Sequence, residues 1–438
     1  MNILCIIPPV IPSYFNAGHH LPIFQLGAYL RKHLPEDTIT CLDYSALNAT
    51  WKDVCDMLIK KFDVIVIFND FDAVDTFGRF MYYKSSLYPY SKVITFGRLS
   101  KQIPHFFLRL GIDAVHHSGD YEPGVLSYIL YLKARRTSVV GIATLDNIPS
   151  AEGITLTANE WVLPEVQEIP YKDYNRLYKN DLNKFCGIPT KQELVVPIAR
   201  GCPIGCTYCD VHIMQGKTER RLSIEKTIEY IQKSFEELPF EYISFYAPTF
   251  TLDRKWVINF CNELIKKEIK YPWKCVTVLK LLDEELLNLM SKSGCIRISL
   301  GIESFTKTAF MGLPKVKQDT LDSFKNISQL CKKYNIELNC FIILGLPGDT
   351  PLDIKKTIDI CLQHGARVRP TIYTPYEKLE EPTSIEEINK FNRQLFLPEL
   401  MTKEEAFEYY QIFYNNKNDT KTKVMENIPA RINKIIER

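Results

Sequence analysis

Two stretches of this chain alternate short apolar segments with amphipathic ones, and that alternation limits the possible folds more than any other feature. Between residues 1 and 135 the amphipathic segments, such as Leu21–His33 and Trp51–Lys61, are predicted helices. The apolar segments are predicted strands: Ile3–Ile7, Thr38–Leu42, Val64–Phe68, Lys92–Phe96 and Ala114–His116. Continuous apolar strands separated by helices predict a parallel sheet covered on both faces, which is a doubly wound, Rossmann-like domain.

The alternation resumes near residue 191, so the chain is predicted to be an α/β protein of four regions. Two sheet domains are expected at 1–136 and 191–376. Between them, residues 137–190 contain four prolines and little periodicity, which indicates a connecting segment. Residues 377–438 are charged, predicted to be helical and free of cysteine. The predicted strands of the second domain are Leu194–Ala199, Tyr242–Tyr246, Lys274–Val278, Cys295–Leu300, Leu338–Leu344 and Val368–Tyr373.

Composition narrows the class of protein. The 438 residues are 46% hydrophobic, which is enough to bury large cores. The 13 cysteines are odd in number and scattered, and the amino-terminal apolar run of six residues is too short for a signal peptide, so we expect a reducing, cytoplasmic location. No window of about 18 uninterrupted apolar residues occurs, which argues against a membrane span. A net charge of +2 argues against nucleic-acid binding.

Three cysteines in one short segment carry the strongest functional signal. Cys202, Cys206 and Cys209 lie in Arg-Gly-Cys-Pro-Ile-Gly-Cys-Thr-Tyr-Cys, a C-x3-C-x2-C pattern. Three thiolates from one loop can hold three irons of a 4Fe-4S cluster and leave the fourth iron open to a small molecule. The alternative is a structural zinc site completed by His212, because Cys3His is a common zinc ligand set. Zinc sites usually combine two separated ligand pairs, so the spacing favours the cluster.

The cysteine spacing and its Arg-Gly-Cys-Pro lead-in resemble the radical S-adenosylmethionine (radical SAM) superfamily. The resemblance implies that the open iron chelates the amino and carboxylate groups of S-adenosylmethionine. Cleavage of the sulfonium then gives a 5'-deoxyadenosyl radical, which is chemistry of the cofactor rather than of the protein. The resemblance also implies that residues 191–376 form the partial (βα)6 barrel of that superfamily.

Two further motifs carry the resemblance and nominate contacts to S-adenosylmethionine. The segment 295–304, Cys-Ile-Arg-Ile-Ser-Leu-Gly-Ile-Glu-Ser, resembles the fourth barrel strand. This implies that Glu303 meets the ribose and amino region, with Ser299 and Gly301 on the same wall. Glu303 could instead cap the following helix. Tyr208, which precedes the last cysteine, is expected near the adenine.

The second motif, Phe-Ile-Ile-Leu-Gly-Leu-Pro-Gly-Asp-Thr at 341–350, resembles the fifth barrel strand and its turn. In the superfamily the backbone at this position lies beside the adenine, which makes Gly345 a candidate contact. Gly345 could equally be only a turn glycine.

The first domain resembles the cobalamin-binding domain that often precedes radical enzymes. A strand followed by two prolines and a helix, a glycine after the fourth strand, and Gly-Asp-Tyr-Glu at 119–122 carry this likeness. Ligands of such sheets bind beyond the carboxyl ends of the strands, so Pro8, Gly97 and Ser118 are candidate cobalamin contacts. The chain has no D-x-H-x-x-G cobalt-ligand motif. His19 or His20 could ligate cobalt, although loop histidines are more often only solvated.

The sequence departs from the family pattern on the wall of the predicted cavity. Where many cobalamin-fused relatives have an Asp-Asp pair after the second barrel strand, this chain has Tyr-Ala-Pro-Thr-Phe-Thr at 246–251, and Val278 replaces an arginine common on the third strand. No catalytic residue can be named from the sequence. Six side chains are candidates to face the cavity instead: Tyr246, Lys280, Arg297, Arg369, Tyr373 and Tyr376.

The resemblance implies a cobalamin-dependent radical SAM enzyme with a 4Fe-4S cluster. The favoured function is methylation of an unactivated carbon or phosphorus centre in a small metabolite or peptide, with flavodoxin or ferredoxin as electron donor. Two alternatives remain open. One is a radical rearrangement, ring closure or other alkyl transfer in which the first domain is a scaffold, and the other is a zinc-stabilised binding module. RNA methylthiolation is disfavoured, because the first domain lacks the cysteine triplet of those enzymes.

Overall fold

The structure is a computed structural model of the chain. The structure describes residues 1–10, 17–71, 74–146, 148–176, 192–381, 383–392 and 397–419. Part of the expected connecting segment, residues 177–190, and the end of the expected carboxyl-terminal region, residues 420–438, therefore lie outside the described residues.

The first half of the chain contains eight strands and six helices within the described residues. The strands are β1 (Asn2–Ile7), β2 (Thr38–Asp43), β3 (Val64–Asn69), β4 (Lys92–Gly97), β5 (Ala114–His116), β6 (Val139–Val140), β7 (Ile142–Thr144) and β8 (Ser150–Ala151). The helices are α1 (Ala17–His33), α2 (Trp51–Leu58), α3 (Val74–Leu87), α4 (Pro104–Arg109), α5 (Tyr121–Leu132) and α6 (Tyr171–Arg176).

The first sheet has the order β2-β1-β3-β4-β5-β7, and every pair is parallel except β5 with β7. Every residue of β3 is buried, because helices cover both faces of the sheet. The order reverses between β1 and β3, and such a reversal opens a crevice at the carboxyl edge of a doubly wound sheet. The predicted doubly wound domain is confirmed, and each of its five predicted strands is present.

The connecting segment expected at 137–190 adds structure to both domains. Strand β7 extends the first sheet as an antiparallel edge, and β6 pairs with β8. Trp161 is 2% exposed and packs in a small core with Tyr29 of α1 and Leu222, which lies beyond the cysteine segment. The segment therefore joins the two domains through buried contacts.

The second half contains eight further strands and nine helices within the described residues. The strands are β9 (Glu193–Pro197), β10 (Ala199–Arg200), β11 (Arg220–Arg221), β12 (Tyr242–Tyr246), β13 (Trp273–Thr277), β14 (Cys295–Glu303), β15 (Glu337–Leu344) and β16 (Arg367–Ile372). The helices are α7 (Val211–Gln215), α8 (Ile224–Glu237), α9 (Arg254–Lys266), α10 (Glu284–Lys292), α11 (Leu321–Lys333), α12 (Pro351–Gln363), α13 (Ile385–Asn392), α14 (Leu397–Leu400) and α15 (Lys403–Asp419).

The second sheet runs in chain order, β9-β12-β13-β14-β15-β16, with all pairs parallel. Consecutive parallel strands joined by crossover helices curve into a barrel wall, so the predicted partial (βα)6 barrel is confirmed. Helices α8 and α9 each begin directly after a capping residue. Ser223 accepts a hydrogen bond from the Lys226 backbone at the start of α8, and Asp253 caps α9 through the Trp256 backbone.

The carboxyl edges of the two sheets face each other. Gln102, in the segment after β4, donates a hydrogen bond from Nε2 to the carbonyl oxygen of Tyr376, which follows β16, at 2.8 Å. Near it, the backbone N–H of Phe106 donates to Glu381 Oε1 at 3.0 Å. Phe71, which follows β3, lies against the ring of Tyr376, with centroids 5.4 Å apart. Ligands of both sheets would therefore bind in one shared region, as expected from the sequence.

The carboxyl-terminal helices pack against the barrel rather than standing apart from it. Leu397 in α14 is fully buried, and a Cβ placed on Gly345 would lie 2.5 Å from its Cδ2. Within the described residues, none of the helices combines the length and the apolar character that a membrane crossing requires.

Candidate functional site

The three candidate cluster cysteines lie in a hairpin loop. Strands β10 and β11 pair antiparallel, with Arg200 opposite Arg220, and so close the loop that carries Cys202, Cys206 and Cys209. Within the loop the backbone N–H of Cys209 donates to the carbonyl oxygen of Cys206 at 3.1 Å, and that of Cys202 donates to the carbonyl oxygen of Gly216 at 3.1 Å. The sequence places the cysteines in a loop, and the structure adds the ribbon that closes it.

The three thiols differ in their exposure to solvent. Cys206 is buried, while Cys202 and Cys209 are half-buried. Burial raises the pKa of Cys206, and it raises that of Cys209 to about 11, so these two metal-free thiols keep their protons at neutral pH. Among the described residues no three His, Cys, Asp or Glu side chains converge as ligands of one ion. A cluster needs no such convergence, since each thiolate binds a different iron.

Glu303 ends β14 in a backbone conformation that is rare for a side chain. Its φ is +61°, and the register between β14 and β15 shifts between Gly301 and Glu303. A non-glycine residue with positive φ costs on the order of 1–3 kcal/mol and tends to occur at functional sites. The irregularity turns the Glu303 carboxylate, which is 4% exposed, to a buried position at the carboxyl edge of the barrel.

Lys317 and Tyr208 bind the Glu303 carboxylate. The ammonium Nζ of Lys317 lies 2.5 Å from Glu303 Oε1, and the hydroxyl of Tyr208 donates to the same oxygen at 3.2 Å. Burial would lower the pKa of Lys317, but the carboxylate of Glu303 outweighs it and the pKa is raised. Lys317 also lies 5.5 Å from the centre of the Tyr208 ring. The sequence predicted that Glu303 and Tyr208 each contact S-adenosylmethionine, whereas Lys317 was missed.

The helix-capping alternative for Glu303 receives no support. The helix after β14, α11, is capped by Thr320, whose side chain accepts from the backbone of Ser323. The hydrogen bonds of the Glu303 carboxylate go to Lys317 and Tyr208, beside the cysteine loop. A buried carboxylate, a buried ammonium and a hydroxyl next to three thiols are suited to the polar amino-acid end of S-adenosylmethionine.

The other predicted wall residues lie on the same strands. A Cβ on Gly301 would come within 2.6 Å of Lys317 Nζ and 2.7 Å of Glu303 Oε1, so only glycine leaves room for this ion pair. Ser299 is 9% exposed, and its hydroxyl accepts from Asn339 Nδ2 at 3.2 Å. Gly345 follows β15 with φ of +82° and lies under Leu397, which fits a turn glycine. Its contact with adenine stays a prediction.

The candidate cobalamin contacts lie at the carboxyl edge of the first sheet. Pro8 is buried directly after β1. A Cβ on Gly97 would lie 2.0 Å from the carbonyl oxygen of Asn69, so this glycine has a packing role of its own. The hydroxyl of Ser118 accepts from the backbone N–H of Gly153 at 3.1 Å. All three residues lie where a doubly wound sheet binds ligands. Their contacts with cobalamin stay predictions.

The two candidate cobalt ligands differ in their surroundings. His20 is buried, and its Nδ1 lies 2.6 Å from Asp43 Oδ2, an oxygen that also accepts from the Tyr174 hydroxyl. A carboxylate on one ring nitrogen is the usual partner of a metal-binding histidine. His19 is half-buried, and burial lowers its pKa to about 4, so its ring is neutral at pH 7. Both histidines therefore stay candidate cobalt ligands.

The substitutes proposed for the cavity wall separate into two groups. Arg297 lies near the amino end of β14, away from the carboxyl edge, whereas Arg369 lies in the middle of β16, in register with Phe341 and Gly301. Arg297 pairs with Glu337 at the start of β15, and Arg369 lies 5.9 Å from the ring of Phe341. Arg297 was therefore wrong as a cavity residue, because strand alternation alone does not say how far along a strand the ligand lies, while Arg369 stays a candidate.

The remaining substitutes follow the carboxyl ends of barrel strands. The exposed fraction of Tyr246 is 39% at the end of β12, and Lys280 donates to the carbonyl oxygen of Lys315 at 2.6 Å. Tyr373 and Tyr376 follow β16, and both carry raised pKa values because they are buried. These four side chains stay candidates for the cavity wall.

Asp319 is a second residue that the sequence did not single out. It precedes the cap of α11 and is 1% exposed, and neither carboxyl oxygen has a hydrogen-bond partner among the described residues. Burial raises its pKa to about 7, although Lys280 and Lys317 act in the opposite direction. A hydrophilic side chain one residue before a helix cap usually lies on the surface. The burial of Asp319 is therefore seen only in the folded structure.

Comparison with known proteins identifies the second domain. Residues 196–361 match the family described as the Radical SAM superfamily. This segment is a radical SAM domain. It contains the cysteine hairpin, Glu303 and Lys317, and it ends in α12, so the match covers the site described above.

Two curated relatives and one solved structure illustrate the likeness. An uncharacterized methyltransferase of Pyrococcus horikoshii is 28% identical over 218 residues, covering 49% of this chain and 46% of the relative. The anaerobic magnesium-protoporphyrin IX monomethyl ester cyclase of Rubrivivax gelatinosus is 27% identical over 274 residues, covering 57% and 48%. The chain thus spans about half the length of the curated relatives it matches.

The solved structure is the radical S-adenosylmethionine methyltransferase TsrM from Kitasatospora setae, with cobalamin and a [4Fe-4S] cluster bound. It is 14% identical and superposes with a TM-score of 0.66, covering 85% of this chain and 73% of TsrM. The likeness establishes the fold, which is a doubly wound domain in front of a radical SAM domain.

Proposed function

We propose that this chain is a cobalamin-dependent radical SAM methyltransferase that acts on an unactivated carbon or phosphorus centre of a small metabolite or peptide. One observation supports this most directly. The cysteine hairpin and the Glu303–Lys317 pair lie at the carboxyl edge of the barrel, and that edge faces the carboxyl edge of a doubly wound sheet. Two ligand-binding edges that face each other can present two cofactors to one substrate.

Different residues of the radical SAM domain would bind the cluster and S-adenosylmethionine. Cys202, Cys206 and Cys209 would hold the cluster. Glu303 and Lys317 would bind the ammonium and carboxylate of S-adenosylmethionine, because the pair offers one charge of each sign. The buried position of Glu303 keeps bulk water from competing for those charges. The reduced cluster would supply the electron that cleaves the bound S-adenosylmethionine.

The first domain would bind cobalamin at the crevice between β1 and β3. Pro8, Gly97 and Ser118 lie along this edge, and His19 or His20 could approach the metal. TsrM, which has the same fold, was solved with cobalamin bound. The cobalamin would carry the methyl group to the substrate. We further propose a flavodoxin or ferredoxin as electron donor and the cytoplasm as the location, since such a cluster needs a reducing compartment.

A radical cyclisation or rearrangement is the second candidate. The relative from Rubrivivax gelatinosus is named as a cyclase, and the barrel wall lacks the Asp-Asp pair of many cobalamin-fused relatives. In that case S-adenosylmethionine would be cleaved without loss of its methyl group, and the first domain would act as a scaffold or redox partner.

Product analysis after anaerobic reconstitution separates these functions. The protein is loaded with iron, sulfide and cobalamin and incubated with S-adenosylmethionine and a chemical reductant, and the nucleoside products are quantified. Methyl transfer predicts S-adenosylhomocysteine as well as 5'-deoxyadenosine. Cyclisation predicts 5'-deoxyadenosine without S-adenosylhomocysteine. If neither product forms and the protein retains zinc rather than iron, the radical SAM assignment of activity is contradicted.

A further inference from the structure

Arg98 links the first domain to the cluster loop of the second. It follows Gly97 at the carboxyl end of β4, and its Nε donates to Asp210 Oδ2. Asp210 is the residue directly after Cys209 and forms the start of α7. The contact therefore joins the ligand edge of the first sheet to the third candidate cluster ligand.

The guanidinium of Arg98 is held in place from several sides. It lies 4.9 Å from the ring centre of Phe71, which follows β3, and 4.9 Å from that of Tyr376, which follows β16. Asp70 Oδ1 lies 3.5 Å from its Nη1. Contacts with rings from both domains restrict the freedom of this long side chain. These contacts orient Arg98 toward Asp210.

Other contacts hold the same hairpin against the first domain. Lys101 Nζ donates at 2.7 Å to the carbonyl oxygens of Gly119 and Met214, so it joins the loop after β5 to α7. At the base of the hairpin, Arg200 donates to both carboxylate oxygens of Glu122, at 2.7 and 3.1 Å. The hairpin is therefore fixed at its base and beside its last cysteine by residues that follow β4 and β5.

We propose that Arg98 is a positioning residue that couples occupation of the first sheet's ligand edge to the placement of Cys209. Loading that edge fixes the segment after β4, which fixes Arg98, Asp210 and the adjoining cysteine. Coupling between two sites is reciprocal, so the loaded cluster must also tighten binding at the first edge. The inference rests on the proposed function, because cobalamin is the occupant it assumes.

The test compares cobalamin binding by the full chain with and without the reconstituted cluster, followed by absorbance titration. We expect cluster-loaded protein to bind cobalamin about fivefold or more tightly than cluster-free protein, which is the lower end of typical coupling. Arg98→Met and Asp210→Asn should each reduce this ratio to within about twofold. Arg98→Lys keeps a cation for Asp210 and should retain most of the ratio. The control is Arg109→Met, which removes an exposed ion pair to Glu381, 3.1 Å long, that also spans the two domains.

A second readout reports on the cluster itself. The electron paramagnetic resonance spectrum of the reduced cluster should respond to added cobalamin in wild type and in Arg109→Met, and should not respond in Arg98→Met. An unchanged ratio and an unchanged response in both Arg98→Met and Asp210→Asn would overturn the coupling while leaving the proposed function intact. If no form of the protein binds cobalamin, the proposed function fails and the coupling fails with it. Circular dichroism confirms that each variant is folded.

Discussion

Lys317 and Glu303 form a buried ion pair at the carboxyl edge of the radical SAM domain, with Nζ 2.5 Å from Oε1. Their side chains are 13% and 5% exposed, so both charges are removed from water and depend on each other. A buried pair of this kind adds little net stability, since desolvation offsets the attraction. Its place beside the cysteine loop points instead to binding of a ligand that carries both charges.

Glu303→Gln is predicted to weaken S-adenosylmethionine binding by roughly tenfold or more, because a charge-assisted hydrogen bond contributes about 1.5–3 kcal/mol. Iron content should stay at the wild-type level, because the cysteines are untouched. Equilibrium dialysis of the reconstituted protein with S-adenosylmethionine measures the affinity. Glu337→Gln is the matched control, since Glu337 also pairs with a cation, Arg297, but at the other end of the strands. Equal losses in both variants would contradict a specific role for Glu303.

Gly301→Ala is predicted to disrupt the same pair without removing a charge. The added methyl group would lie 2.6 Å from Lys317 Nζ and 2.7 Å from Glu303 Oε1, so the two side chains must separate. S-adenosylmethionine affinity should fall by about tenfold. Gly312→Ala serves as the control, because a Cβ at that position meets no atom within 4 Å. Wild-type affinity in Gly301→Ala would show that the close packing of this wall is irrelevant to the ligand.

Asp319 is predicted to make the protein less stable as the pH rises. Burial raises its folded-state pKa from 3.8 to about 7, so the folded chain binds more protons than the unfolded chain between these values. Its contribution to the free energy of unfolding should fall by about 2–3 kcal/mol between pH 5 and pH 8.

Asp319→Asn tests this directly, since the amide does not titrate. The difference in thermal midpoint between the variant and wild type should grow in favour of the variant from pH 5 to pH 8. Asp322→Asn, an exposed change three residues further along, should show no such trend. A pH-independent difference for Asp319→Asn would mean that the carboxyl is solvated.

Glu122→Gln is predicted to destabilise the contact between the two domains. Arg200 is 8% exposed and would be left as a buried charge with a weakened partner, which typically costs about 3–5 kcal/mol when the partner is removed. The thermal midpoint should drop by several degrees. Glu165→Gln, which breaks an exposed pair with Lys233, should leave it within the error of measurement.

The sequence predicted the features that depend on local residue patterns. Strand runs such as Val64–Phe68 are apolar throughout because the first sheet is covered on both faces, so their bounds were nearly right. Ser223 and Asp253 act as caps because a short polar side chain at a helix start has one favourable use. The cysteine triplet was recognisable because its spacing is set by cluster chemistry, and Glu303 because its strand motif resembles that of a known family.

What the sequence did not predict depends on contacts between distant residues. Lys317 lies 14 residues from Glu303, and Arg98 lies 112 residues from Asp210. A lysine or arginine in a polar loop looks solvated until the fold brings a carboxylate to it. The ribbon of β10 and β11 was missed because two-residue strands give no periodicity. Arg297 was misplaced because the pattern of a strand does not show which of its ends meets the ligand.

The most direct test of the account is iron analysis with electron paramagnetic resonance on the anaerobically reconstituted protein, before and after S-adenosylmethionine is added. The account predicts about four irons per chain and a spectrum of the reduced cluster that changes with S-adenosylmethionine. Cys209→Ala should lose both the iron and the response, while Cys55→Ala, outside the hairpin, should keep them. A Cys209→Ala protein that retains its iron and its response, or a wild type that takes up zinc in place of iron, would contradict the account.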